Sequence, residues 1–153
     1  MHCYRIAKPA YAASALSGEG ARLYGGRWNP PGLRCVYAAE SRSLAVLELL
    51  VHLNGRSRAM KFKLLTIEFD GGFLAEASRL PAGWDAHPAG KSSQSIGKDW
   101  LSAAKKPALR VPSVVIPEET NLLLNPAAPG FEHIRVIEEQ DFQLDPRLAA
   151  DPS

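Results

Sequence analysis

One segment, residues 42–54, is apolar on most sides when wound at helical periodicity, and such a helix has to be covered by other parts of the chain. Everything around it reads as short strand-like runs cut by proline and glycine. Cys3 to Ala7, Cys35 to Ala38, Met60 to Phe69, Leu109 to Pro117, Asn121 to Leu124 and His133 to Ile137 are the candidate strands. They do not alternate regularly with helices, which argues against a doubly wound parallel sheet. The expected class is α+β, a single domain with a mixed β-sheet core and flanking helices. A length of 153 residues fits one domain, and a chain of that size buries roughly two-thirds of its unfolded surface without needing a disulfide or a metal.

The connecting segments carry their own signals. An alanine-rich stretch after Ala7 reads as helical up to Gly18, and residues 20–34, with four glycines and two prolines, read as loop. Ser41 or Ser43 is placed to cap the apolar helix, which should run to about Leu53 and stop at Asn54-Gly55. Asp70-Gly71-Gly72 marks a turn, Ser78 to Gly97 a long loop, Gly97 to Ala104 a short helix, and Asp145 to Ser153 a tail. At 46% hydrophobic and 22% charged residues, the chain is neither disordered, collagen-like nor a disulfide framework. No apolar run approaches the ~18 residues of a membrane span. The N-terminus lacks a secretory pattern, so Cys3 and Cys35 are expected as free thiols in a reducing cytoplasm.

Net charge is only +2, but it is unevenly spread: +5 over residues 1–60, +3 over 61–110 and −6 over 111–153. An anionic ligand is therefore expected near the N-terminal segments, although a merely solvated surface would have the same composition.

Two elements hold groups capable of chemistry. At about 100° per residue, Ser41, Glu48 and His52 fall in one narrow stripe of the apolar helix. Glu48 is then either an edge carboxylate paired with His52 four residues on, or a cleft carboxylate that stabilises developing positive charge or holds a substrate hydroxyl. In Gly25-Gly26-Arg27-Trp28-Asn29-Pro30-Pro31-Gly32 the glycines permit close backbone approach and free amides for an anion, and Arg27 offers a planar fork for phosphate or carboxylate. The alternative is a tight loop with an exposed arginine and a packing tryptophan. Common nucleotide fingerprints and the serine-hydrolase elbow are absent, the histidines and cysteines lack zinc spacing, and no basic run is interleaved with aromatics. No metal is expected.

Read together, Tyr4-Arg5-Ile6, Gly25-Gly26-Arg27-Trp28-Asn29, Val36-Tyr37-Ala38-Ala39 and Ala45-Val46-Leu47-Glu48, in that order and spacing, resemble the RES domain. So do Leu109-Arg110-Val111-Pro112-Ser113, Pro117-Glu118, Asn121 to Pro126, Gly83-Trp84-Asp85 and Gly97-Lys98-Asp99-Trp100. The resemblance runs from Tyr4 to about Phe131, and a RES domain is expected over residues 1–144 with a tail over 145–153. It implies the toxin of a bacterial RES–Xre toxin–antitoxin pair, with a fold similar to ADP-ribosyltransferase toxins and with NAD+ as co-substrate. It implies Arg27, Tyr37 and Glu48 as the active-site set, with Ser113 as a fourth member and Arg5 facing the same pocket. Gly26, Trp28, Asn29 and Asn125 are the further NAD+-binding positions that follow from it. One departure is Ala128, where the family commonly has histidine.

The residue chemistry suits that reading. Breaking the nicotinamide–ribose bond builds oxocarbenium character, which a carboxylate such as Glu48 stabilises while holding ribose hydroxyls. Arg27 would bind the diphosphate, Tyr37 would stack on nicotinamide, and Ser113 would donate to the nicotinamide amide or a phosphate. The expected function is cleavage of NAD+ with transfer of ADP-ribose to a target protein, and the alternative is an NAD+ glycohydrolase or phosphorylase. A non-catalytic nucleotide- or RNA-binding module is a further rival, as is a structural domain whose Glu48–His52 pair is only a surface ion pair. The expected partner is an Xre-type antitoxin that blocks the pocket and carries any contact with DNA, with no membrane association. Residues 78–97 are expected to form a mobile rim.

Overall fold

In a computed structural model of the protein, residues 1–149 are described. Seven strands form one sheet: β1 (His2–Ala7), β2 (Val36–Ala39), β3 (Lys61–Glu68), β4 (Leu74–Glu76), β5 (Ala108–Pro112), β6 (Thr120–Leu124) and β7 (Arg135–Gln143). Their order is β4-β5-β6-β2-β1-β3-β7, antiparallel throughout except for the parallel pair β4–β5. Helices α1 (Glu19–Tyr24), α2 (Arg42–Leu50), α3 (Gly55–Arg58), α4 (Lys91–Ala103) and α5 (Pro146–Ala149) flank it. This is the expected α+β class with a mixed sheet. Among the described residues no helix is long and apolar enough to cross a membrane.

Alternation along the strands sorts the core into two faces. Cys3, Val36, Ala38, Ile67, Leu122 and Leu124 point to one face. Tyr37, Leu109, Val111 and Leu123 point to the other, beneath Trp28 and Leu101, and Tyr4, Ile6 and Ala39 lie there too, beneath Leu44 and Ala45 of α2. Helix α2 and the layer made by Trp28 and α4 therefore stand side by side on the same face. The sheet is weakest in pairing at its centre: β1 and β2 share the single position Tyr4–Ala39, whereas β1 and β3 share six.

Several elements differ from expectation. The stretch before Gly18 is a 3-10 turn, Pro9–Ser14, rather than a longer helix. Residues 20–24, expected as part of a loop over 20–34, belong instead to α1; Gly18 enters it at φ +70°, and Arg22 pairs with Glu19 one turn back. Helix α4 begins at Lys91, six residues before the expected start. Ser92, Ser93, Ser95 and Gly97 are weak helix formers, and the helix is held instead by contacts with the Arg27 loop. The apolar helix starts at Ser41, whose hydroxyl accepts from the Leu44 amide at 3.1 Å, but ends at Leu50, and Asn54 caps α3 rather than stopping a helix. The run from Leu109 leaves the sheet at Pro112, short of Pro117.

Strand β7 reaches Gln143 because Glu138, Glu139 and Asp141 are tolerated on an exposed edge and pair with β3, where Lys63 meets both Glu139 and Asp141. Strand β4, three residues long, carries no alternation to read. Within the expected tail, Pro146–Ala149 make one helical turn; residues 150–153 lie outside the described residues.

Candidate active site

Glu48 projects from α2 to the far ends of β5 and β6. Its Oε1 accepts two hydrogen bonds, from Ser113 Oγ at 2.7 Å and from Asn121 Nδ2 at 2.7 Å. Ser113 is fully buried just beyond β5, and its hydroxyl also accepts from the amides of Val115 and Ile116, at 3.0 and 3.1 Å. The single hydroxyl proton thus goes to Glu48. No ion pair joins Glu48 to the exposed His52 among the described residues, so Glu48 is held by the sheet and not by its own helix.

A second set centres on Tyr37 of β2. Its hydroxyl accepts from the Trp28 amide at 3.0 Å and donates to Asn29 Oδ1 at 2.5 Å, while Asn29 Nδ2 donates to the carbonyls of Ala21 and Pro30. Burial pushes the phenol above its usual range, so it stays a neutral donor. Gly26 must be glycine here, since a Cβ would lie 2.6 Å from the Tyr37 hydroxyl oxygen. The amides expected to be free for an anion are used inside the loop: Gly25 donates to Ala21 and Gly26 to Asn29, because the turn closes on itself in a Gly26–Asn29 bridge. Tyr37→Phe would strand the buried Trp28 amide and the side-chain Oδ1 of Asn29. The expected cost is about 2–3 kcal/mol, read by urea denaturation; an unchanged midpoint would show that the hydroxyl braces nothing.

Arg27 reaches outward from this loop. Its Nη1 donates to the carbonyls of Trp84 and Ala86, at 3.0 and 2.9 Å, and Trp84 stacks on Trp28 with centroids 6.0 Å apart. Arg5 lies at the splayed junction of β1 and β2, where Nη1 donates to the Tyr37 carbonyl at 2.7 Å. Its Nε is buried with no partner, and no carboxylate pairs with the guanidinium among the described residues. Burial lowers the Arg5 proton affinity, as it must for a cation without a counter-charge. Burial also pushes the thiols of Cys3 and Cys35 up to about 12, and both are free and inert as nucleophiles.

Sheet register ties the two sets together. Tyr37 stands opposite Leu123 and Ala39 opposite Asn121, which makes Tyr37 and Asn121 diagonal neighbours on one face, roughly 7–8 Å apart. The Glu48–Ser113 pair and the Tyr37 set with Gly26, Trp28 and Asn29 thus share one face around β2, whereas Arg5, between Tyr4 and Ile6 in β1, leaves the sheet from the opposite face and reaches the set through the Tyr37 carbonyl. Asn125 is elsewhere: fully buried past the end of β6, it donates to the Leu101 carbonyl of α4 and accepts from the Ala127 amide. A cavity of about 460 Å³ between Met1, Phe69, Phe73 and His133 holds none of the expected site residues; of its charged groups, Glu68 and Arg135 pair with each other and Asp70 caps the turn at Gly72.

Asn121 is the member of the site that reading by residue type missed. In the sequence it belongs to the Asn121 to Pro126 run that resembles the RES domain and opens a strand-like leucine run, where a polar residue ordinarily marks a strand end, and neither points to Glu48.

Residues 2–145 match the family model described as the RES domain. The chain is 46% identical over 152 residues to "Prs ADP-ribosylating toxin" of Sphingobium sp. (strain YBL2), covering 95% of this chain and 94% of the relative. It is 40% identical over 151 residues to "Toxin Res" of Yersinia enterocolitica, covering 97% and 99%. Over a shorter stretch of 48 residues, 31% of this chain and 25% of the relative, it is 48% identical to "NAD(+) phosphorylase MbcT" of Mycobacterium tuberculosis. In fold it is similar to a chain in the crystal structure of the M. tuberculosis MbcT–MbcA toxin–antitoxin complex, with a TM-score of 0.75 at 22% identity over 97% of this chain and 86% of that one. Matched over nearly its whole length, the chain belongs to the RES domain family.

Proposed function

We propose that this chain is an NAD+-consuming toxin that cleaves the nicotinamide–ribose bond and transfers ADP-ribose to a target protein. The observation that carries the reading is the state of Glu48: Oε1 is held by two donors, and Oε2 has no hydrogen-bond partner among the described residues. A carboxylate fixed by one oxygen and open at the other suits a sugar hydroxyl and the positive charge that develops as the bond to nicotinamide breaks. The pair of electrons leaves with neutral nicotinamide, and a nucleophile on the target closes the ribose carbon. The family relationship and the relative named as an ADP-ribosylating toxin support the same reading.

The other residues take supporting roles in this proposal. Arg5, a buried cation with no counter-charge among the described residues, fits a phosphate of the dinucleotide, and Arg27 fits the second, exchanging loop carbonyls for phosphate oxygens. The Tyr37 ring offers a stacking surface for nicotinamide. Gly26, Trp28 and Asn29 shape the wall behind it, and Asn125 acts on the pocket only through its bond to α4. Ser113 holds Glu48. Inorganic phosphate as acceptor is a second reading, favoured by the similarity to a relative named as an NAD(+) phosphorylase.

A solved structure similar in fold is that of a toxin–antitoxin complex, which supports an antitoxin partner for this chain. We assign that partner to the Xre type, covering the pocket and carrying any contact with DNA, with growth arrest in the cytoplasm as the outcome of its release. The test is mass spectrometry of antitoxin-free protein incubated with NAD+, with and without phosphate and lysate. Free nicotinamide is expected from wild type. Arg27→Ala should weaken NAD+ binding, raising KM about 10-fold or more through loss of a charge-assisted contact. Labelled lysate protein would identify a protein acceptor, and ADP-ribose phosphate would identify phosphate. Intact NAD+ from folded wild type would overturn the proposal.

A further inference from the structure

We infer that Asn121 is a positioning residue for the catalytic carboxylate, acting with Ser113 to fix the rotation of Glu48 so that Oε2 faces the scissile bond. The inference rests on the reading of Glu48 given above. Asn121 sits in β6, flanked on both sides by β2 and β5, opposite the apolar Ala39 and Val111. Its Nδ2 donates to Glu48 Oε1 at 2.7 Å, and its Oδ1 is buried with no partner among the described residues. A buried amide that leaves its acceptor empty costs stability that a leucine would not, so its packing does not account for it. What the amide provides there is the donor to Glu48.

The geometry explains why one donor is insufficient. A carboxylate held only by Ser113 turns about that single hydrogen bond and about its own terminal torsion, which is soft. Asn121 approaches the same oxygen from the neighbouring strand, and the two donors together hold the carboxylate plane. Ser113 is anchored by the amides of Val115 and Ile116, and Asn121 by a central strand, so neither donor yields easily. Neither amide nor hydroxyl has to touch NAD+; their effect passes through Glu48. Misorientation of the carboxylate then penalises the transition state more than the bound ground state.

The experiment measures kcat and KM for NAD+ consumption by antitoxin-free Asn121→Leu, Asn121→Asp, Ser113→Ala and the double variant Ser113→Ala/Asn121→Leu, with wild type and Glu48→Gln alongside. Asn121→Leu is expected to lower kcat about 10- to 100-fold with KM within about threefold of wild type. Asn121→Asp keeps the shape but puts an acceptor against Glu48, and should lose at least as much. It decides the question if the leucine variant does not fold. The double variant should lose less than the product of the single losses, since both donors serve one oxygen. A folded Asn121 variant with kcat within twofold of wild type, or losses that multiply fully, would overturn the inference while Glu48→Gln kept a loss on the order of 10²–10³-fold. Wild type that leaves NAD+ intact would instead remove the function on which it rests.

Discussion

Gly97→Ala should destabilise the protein by at least about 3–4 kcal/mol, the range of severe backbone overpacking. A Cβ built at this position lies 1.6 Å from the Trp28 carbonyl oxygen and 2.6 Å from its carbon. Those are backbone atoms, and they have little freedom to move. Trp28 is only 2% exposed, its amide is held by Tyr37, and its ring is stacked on Trp84. Intrinsic propensity points the other way, since alanine in a helix interior is favoured over glycine by about 1 kcal/mol. The sign of the change therefore discriminates close approach from helix propensity. The local alternative to unfolding is that α4 lifts off the loop, breaking the Ser93 Oγ bond to the Arg27 carbonyl and the Gln94 Nε2 bond to the Gly26 carbonyl. Urea denaturation reads the loss, and Gly20→Ala is the control. Gly20 lies in α1 with nothing within 4 Å of an added Cβ, so its substitution should be neutral or stabilising by up to about 1 kcal/mol. A Gly97→Ala protein as stable as wild type would mean that α4 does not approach the Trp28 backbone in solution.

Glu48→Gln is expected to reduce NAD+ cleavage on the order of 10²–10³-fold while leaving the fold intact. The substituted amide keeps a carbonyl oxygen where Oε1 now accepts from Ser113 and Asn121, so both buried donors stay satisfied. What disappears is the negative charge and the second acceptor. Nicotinamide release gives the activity and a thermal melt the stability, with the midpoint expected within a few degrees of wild type. Full activity in the folded variant would remove Glu48 from the chemistry. Glu48→Ala differs usefully, because it strands the Asn121 amide and should cost stability as well as activity.

The two substitutions differ in how far they were foreseeable. Glu48 stood out from the chain because a carboxylate in an otherwise apolar helix is costly to bury and needs a reason. The alternatives of an ion pair with His52 and a cleft carboxylate were equal on helical spacing, and they separated only when Ser113 and Asn121 were brought up from strands 65 and 73 residues away. Arg27 and the glycines before it were visible as a loop with anion-binding chemistry. Their amides turned out to close the turn on itself, a preference that depends on Tyr37 arriving from β2. The start of α4 was hidden for a related reason: its serines and glycine are weak helix formers, and Gly97 is there for the Trp28 backbone.

Local chemistry was enough to determine the class of fold, the apolar helix with its serine cap, most of the strands and the residues whose presence demanded an explanation. These follow from hydrophobic periodicity, capping and turn preferences, which act over a few residues. Pairing decided the rest. The order of the seven strands, the single shared position between β1 and β2, and the Tyr37–Asn121 diagonal are set by contacts far apart in sequence. A side chain's hydrogen-bonding partners depend on which strands lie beside it, so only the folded sheet could make Glu48 a fixed carboxylate, and Asn121 one of the two groups that fix it.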